Sequence, residues 1–132
     1  MLGGSLTGEL KKEVLTDVLD ALPVEMSFVD ENDTVRYFNK NGNRIFPRPP
    51  SVISKKVQDC HPKKSVHKVE QILDDFKNNR RDSAEFWIDL RGRKIYIRYF
   101  AVRDKDGKYL GCLEVTQDIT DVQKIKGEKR LL

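Results

Sequence analysis

Thiols, imidazoles and long apolar runs are all scarce in this sequence. Its two cysteines, Cys60 and Cys112, lie far apart and without metal-ligand spacing, so they read as reduced thiols of a cytoplasmic protein. No apolar run approaches the ~20 residues of a membrane-spanning helix. Met1 to Ser5 carries neither the charged nor the apolar region of a secretory signal. Gly-x-Ser-x-Gly, His-Glu-x-x-His and a Gly-rich phosphate loop are all missing, and no carboxylate pair can be placed in one pocket. The expectation is a protein that is not an enzyme and holds no metal. Repeats and low-complexity segments are also absent.

What is present suits one charged globular domain. The 132 residues can bury a core without help from disulfides or metals. Apolar residues make up 38% and charged residues 35%, which implies a heavily charged surface. The net charge of +4 is modest, and acids are interspersed with bases. Such a pattern does not favour nucleic acid as a partner.

The chain divides into an arm over 1–8, a flanking helix over 9–22, a domain over 23–121, and a helix or tail over 122–132. In the first helix Leu10, Val14, Val18 and Leu22 recur at intervals of four, widened by Leu15, Leu19 and Ala21. That stripe packs on its own sheet or adds a subunit contact, and Pro23 ends it. Val24 to Phe28 alternates and reads as a strand with Val24, Met26 and Phe28 inward. Asn32-Asp33 turns the chain into a second strand, Thr34 to Phe38. Asn39 is expected to cap a short helix through Ile45 and Phe46. Pro47, Pro49 and Pro50 stop it, and residues 51–60 form a short helix or turn.

Pro62 suits the first turn of a helix running to about Asn79, with Val66, Val69, Ile72, Leu73 and Phe76 as its core face. Ser83 to Leu90 is the third strand, with Trp87 opposite Ala84, Phe86, Ile88 and Leu90. Lys94 to Val102 is the fourth, with Ile95, Ile97, Tyr99 and Ala101 on one face. Asp104-Lys105-Asp106-Gly107 is a hairpin turn, and Lys108 to Gln117 is the fifth strand. Thr120 and Gln123 are spaced as a capping box that opens a final helix. The count implies an α+β domain, five antiparallel strands with helices on one face and flanking N- and C-terminal helices.

Gly107-x-x-x-Gly111 followed by Asp118-Ile119-Thr120 resembles the last hairpin of PAS domains, where such a triplet closes the domain and opens a signalling helix. Phe28 to Asn39 resembles the first hairpin of that family. The resemblance covers roughly residues 20 to 122. The stretch Asp59 to Val66 and the end Gly127 to Leu132 are similar to the C-terminal PAS domain of bacterial and archaeal proteins with an upstream hemerythrin-like domain. The resemblance implies a sensory or regulatory module with a cavity between sheet and helices, occupied by a small ligand or packed shut. Met26, Phe28, Ile72, Phe76, Ile97, Tyr99 and Leu113 are its candidate lining. Asp118 and Thr120 are the candidate relay to the last helix. Homodimerisation is expected through the first helix and the outer sheet face.

No obligatory cofactor is expected. His67 lies nearly opposite the apolar face of the long helix and should meet solvent. His61 precedes that helix and either caps it or points inward. Haem ligation by His61 or Cys60, giving a gas or redox sensor, is the alternative to a structural role. The Asn-Cys-Arg-Phe-Leu-Gln run that light-sensing flavin domains share has no match here. A ligand-free dimerisation module is the other competing reading.

Overall fold

The computed structural model describes residues 7–40 and 42–131. The arm expected over 1–8 therefore lies, up to residue 6, outside the described residues. Helix α1 (Lys12–Ala21) leads into β1 (Glu25–Asp30) and β2 (Val35–Phe38). Two 3-10 turns, Pro50–Val52 and Val57–Cys60, precede α2 (Lys63–Lys77). Then come β3 (Ser83–Leu90), β4 (Arg93–Arg103) and β5 (Tyr109–Asp118). The strands form one five-stranded sheet in the order β2-β1-β5-β4-β3, with every neighbouring pair antiparallel. This is the expected fold class. First and last strands pair at the centre of the sheet.

Local chemistry explains the punctuation. Asp30 accepts hydrogen bonds from the amides of Asn32 and Thr34 at 2.9 and 3.0 Å, which closes the β1–β2 turn. Asp33 there and Asn79 after α2 both take the left-handed conformation that short polar side chains tolerate. Gly111 has a stricter need. A methyl group at its α-carbon would sit on the Val29 carbonyl and within 2.6 Å of the Phe28 ring, so only glycine lets β1 and β5 approach.

The core lies between α2 and one face of the sheet, here called the inner face. Val69, Leu73 and Phe76 descend from α2 onto Ile95, Ile97 and Tyr99 of β4, with Val29, Val35, Val57 and Cys112 around them. Phe76 has no exposed surface. Val66 and Ile72 are only half-buried. Register places Phe86 opposite Ile97 and Ala84 opposite Tyr99, as the alternation of both strands predicts. Phe86 meets the Tyr99 ring edge-on at 5.5 Å.

Four expectations need correction. The face of β1 is inverted: Glu25, Ser27 and Val29 point inward, and Met26 and Phe28 point outward. The helix expected after Asn39 is missing among the described residues of 40–49. Asn39 is instead a buried tie, accepting from Met26 N at 2.7 Å and donating to Leu19 O at 2.7 Å and Val24 O at 3.1 Å. The first helix does not pack its stripe on the sheet. It has no buried residue, and Leu10, Val14, Leu15 and Val18 are 36–48% exposed. Finally, the chain after β5 makes a single 3-10 turn, Val122–Lys124, and no further helix among the described residues. Among the described residues no helix is long and apolar enough to cross a membrane.

Candidate functional site

The inner face divides into two chemically distinct halves. On β3 and β4 it is apolar. On β1 and β5 the inward rows are Glu25 opposite Thr116, Ser27 opposite Glu114, and Val29 opposite Cys112. Tyr99 of β4 stands opposite Glu114 and joins the two halves. Loop 39–48 covers the polar half and brings Arg44 and Arg48 onto it.

Arg44 is a latch between loop and sheet. Its guanidinium donates to Asn39 O at 2.7 Å, Phe46 O at 3.1 Å and the Ser27 hydroxyl at 3.3 Å. Glu25 accepts from the amides of Ile45 and Phe46, and its carboxylate lies 3.7 Å from Arg44. Both side chains are almost wholly buried. Burial and the neighbouring Arg48 lower the Arg44 pKa, while Glu25 and Glu114 hold it up. A buried charge without such partners is strongly destabilising.

The second pair is built differently. Arg48 and Glu114 approach to 3.7 Å, with side chains 18% and 12% exposed. Among the described residues no hydrogen bond uses either charged group or the Tyr99 hydroxyl. A polar gap of that width is one that water or a ligand group bridges. Burial first, and then the Glu114 charge, push the Tyr99 phenol far up, so it keeps its proton. The same two causes push the Cys112 thiol up to about 12, leaving it unreactive at neutral pH. A cleft of about 240 Å³ adjoins this half at the Glu25–Thr116 row, with Val24, Glu25, Lys40, Ile45, Thr116 and Asp118 in its walls; Arg48, Glu114 and Tyr99 are not among its lining.

Asp118 and Thr120 occupy the exit from β5. Asp118 accepts from Arg93 Nε at 2.7 Å and from the Thr120 amide at 3.0 Å, and Arg93 also reaches Asp121. These contacts hold the Asp118 carboxyl down at about 2. Thr120 is not a helix cap. Its hydroxyl accepts from the amide of Lys94 at 2.7 Å, and so ties the exit to the first rung of β4. The Asp118 anchor expected from the sequence is present; the capping box is not.

Of the candidate cavity lining, Phe76, Ile97 and Tyr99 are core residues, and Ile72 packs beside them. Met26, Phe28 and Leu113 lie together on the outer face, so they cannot line a cavity on the inner one. Glu25, Ser27, Arg44, Arg48, Glu114 and Thr116 are the residues that sequence patterning misses. Part of the signal is in the hairpin: with the register shift between Val102 and Arg103, pairing beyond Asp104–Gly107 puts the even-numbered residues of β5 on the face of Ile97 and Tyr99. Glu114 follows from that parity, and Ser27 from pairing with it.

The histidines are accounted for locally. His67 is exposed, as its helical position predicts. His61 Nδ1 donates to Val57 O at 3.0 Å, and Cys60 Sγ lies 3.7 Å from Lys56 O. Among the described residues no group of three His, Cys, Asp or Glu side chains is arranged to hold a metal ion. On the outer face Arg98 stacks over Tyr96 at 4.8 Å and Phe100 at 5.7 Å, beside Trp87, which is 60% exposed.

The fold recurs among solved structures. A crystal structure of a C-terminal domain from Streptococcus mutans is 33% identical, with a TM-score of 0.84 over 91% of this chain and 93% of that one. The PAS domain of BvgS from Bordetella pertussis is 18% identical, with a TM-score of 0.62 over 82% of this chain and 85% of that one. A sensory box sensor histidine kinase from Vibrio cholerae is 14% identical, with a TM-score of 0.58 over 83% and 91%. Among curated proteins there is no match. A PAS domain family model matches residues 15–120. Domains of that kind are typical of sensory histidine kinases and other signalling proteins, and are generally sensory modules without enzymatic activity. A family match over that span, on a sheet of this order, makes the chain a member of the PAS domain family.

Proposed function

We propose that this domain is a sensory module whose input is a small polar ligand on the β1/β5 half of the inner face. The observation that carries the reading is the trio Arg48, Glu114 and Tyr99: three polar groups turned together on a largely buried face, with no hydrogen bond among them. A purely structural ion pair gains most from direct, hydrogen-bonded contact. This one leaves its donors and acceptors for something else. Output runs through the connectors. The cleft beside the polar half is walled by Val24, which follows α1, and by Asp118, which holds the exit. A ligand on the trio reaches both through the adjoining row, Glu25 and Thr116.

Protein purified without denaturation should carry a small molecule in stoichiometric amount, seen by native mass spectrometry and released on unfolding. Arg48→Ala should carry none. Wild-type protein that is empty under every growth condition, and that no polar metabolite stabilises against heat, counts against the reading.

A second role, homodimerisation, is favoured by the exposed stripe of α1. Isolated helices shorter than ~12 residues are marginal in water, so this ten-residue helix needs a covering surface. Deleting residues 1–20 should convert a dimer to a monomer in sedimentation; a dimer of unchanged affinity opposes it. The two free thiols support a reducing cytoplasmic setting. A hemerythrin-like domain upstream, in a longer protein, rests on the sequence resemblance of Asp59 to Val66 and Gly127 to Leu132, and sequencing the complete reading frame tests it.

A further inference from the structure

The polar half of the inner face also restricts the charge of what it binds. It carries two cations and two anions, and they are not equivalent. Arg44 and Glu25 are occupied with loop amides, carbonyls and each other. Arg48 and Glu114 are only near each other, 3.7 Å apart and partly wet, and retain their hydrogen-bonding capacity. Resting on the ligand-binding reading above, we propose that Arg48, Glu114 and Tyr99 bind a small zwitterion, of the class of a free α-amino acid.

The ligand carboxylate lies on Arg48, whose planar guanidinium suits it. The ligand ammonium lies on Glu114. The Tyr99 hydroxyl, kept protonated by burial and by Glu114, donates a second hydrogen bond to the ligand carboxylate. Selectivity follows from the sum of charges. A monoanion on Arg48 takes away the counter-charge of Glu114 and leaves a carboxylate uncompensated on a largely buried face. A monocation on Glu114 does the reverse to Arg48. A zwitterion replaces one loose ion pair by two close ones and leaves nothing unpaired. The cleft of about 240 Å³ lies one inward row away: Thr116 is in its wall, and Glu114 is the next inward residue of β5.

Calorimetry on the 132-residue protein with L-alanine, propionate and ethylammonium separates the terms. Alanine should bind at least about tenfold more tightly than either half-charged analogue. Glu114→Gln should reverse the order in favour of propionate, because Arg48 is then the unpaired charge. Arg48→Met should reverse it in favour of ethylammonium. The two variants carry the same test independently, so it survives if one fails to fold by circular dichroism. Propionate or ethylammonium matching alanine on wild-type protein overturns the zwitterion class but leaves a ligand on the polar half. Alanine binding that is equal in wild type and both variants overturns the site. Absence of alanine binding at millimolar concentration overturns the proposal too, while a different compound retained in native protein would still uphold the polar half as a ligand site.

Discussion

The apolar half of the inner face and the polar half are built from the same alternation but covered by different things. The apolar half is closed by a regular helix, α2, whose Phe76 is fully buried on Ile97 and Tyr99. The polar half is closed by loop 39–48, which has no helix among its described residues and is held by Arg44, Glu25 and Asn39. Helices cover apolar rows well because side chains of any shape interdigitate there. A loop has backbone groups to satisfy, and a row of polar side chains satisfies them. So the polar half is less a defect of the core than the condition for covering a sheet with a loop. It also leaves two charges and a phenol unspent.

That contrast can be attacked from either side. Phe76→Ala should be the most damaging single change, costing ~3–5 kcal/mol in urea unfolding, because it opens a cavity that packed neighbours cannot fill. A cost under ~1 kcal/mol would mean the apolar half is not the stabilising one. Arg44→Ala should cost about 3 kcal/mol, since it leaves Glu25 buried without its partner. The diagnostic step is the double variant Glu25→Leu with Arg44→Met. It should recover much of that loss, as apolar pairs often do. A double variant as unstable as the single one would show that the latch is irreplaceable.

Smaller effects belong to the exit. Thr120→Ala should cost about 1 kcal/mol, the usual worth of one hydrogen bond, and its signature is faster exchange of the Lys94 amide with the rest of β4 protected. Loss of protection across the whole sheet would make the exit belong to the core. The smallest effect is a pH dependence. Asp118 is held at about 2 against an ordinary 3.8, so its contribution is present above about pH 4 and is lost as pH falls toward 2. Asp118→Asn should flatten the stability curve in that window and leave its slope unchanged near neutrality. An unaltered acid limb would mean that Arg93 does not hold the exit in solution.

Much of the architecture is legible in the chain. Strand β4 announces itself through Ile95, Ile97 and Tyr99, because a central strand under a helix needs one continuous apolar row. Helix α2 does so through Val69, Leu73 and Phe76. Strand β1 misleads for a physical reason. Both its rows are plausible, and the more apolar one, Met26 with Phe28, faces outward beside Leu113. Periodicity finds the strand but not its side when the inner row serves a polar cover. Asn39 reads as a cap because capping is what asparagine does near a helix; here it ties the end of α1 to the start of β1 instead. Arg44 and Arg48 sit in a loop with no period, so nothing local marks them as inward. Thr120 has the spacing of a capping box, but its hydroxyl serves the amide of Lys94, far away in sequence.

The pairing of the first strand with the last has a mechanical meaning. Glu25 stands opposite Thr116, so the chain enters β1 and leaves β5 at the same end of one antiparallel ladder. A tension applied between the two connectors therefore loads that ladder as a zipper and not in shear. Rungs open singly and in order, beginning with Glu25 and Thr116, then Met26 and Val115, then Ser27 and Glu114. Little force is needed for the first, because each rung bears the load alone. The first rungs to yield are those that wall the cleft and carry Glu114. Pulling the connectors apart therefore also displaces Glu114, and a bound molecule that braces those rungs would be felt as stiffness at the ends of the chain.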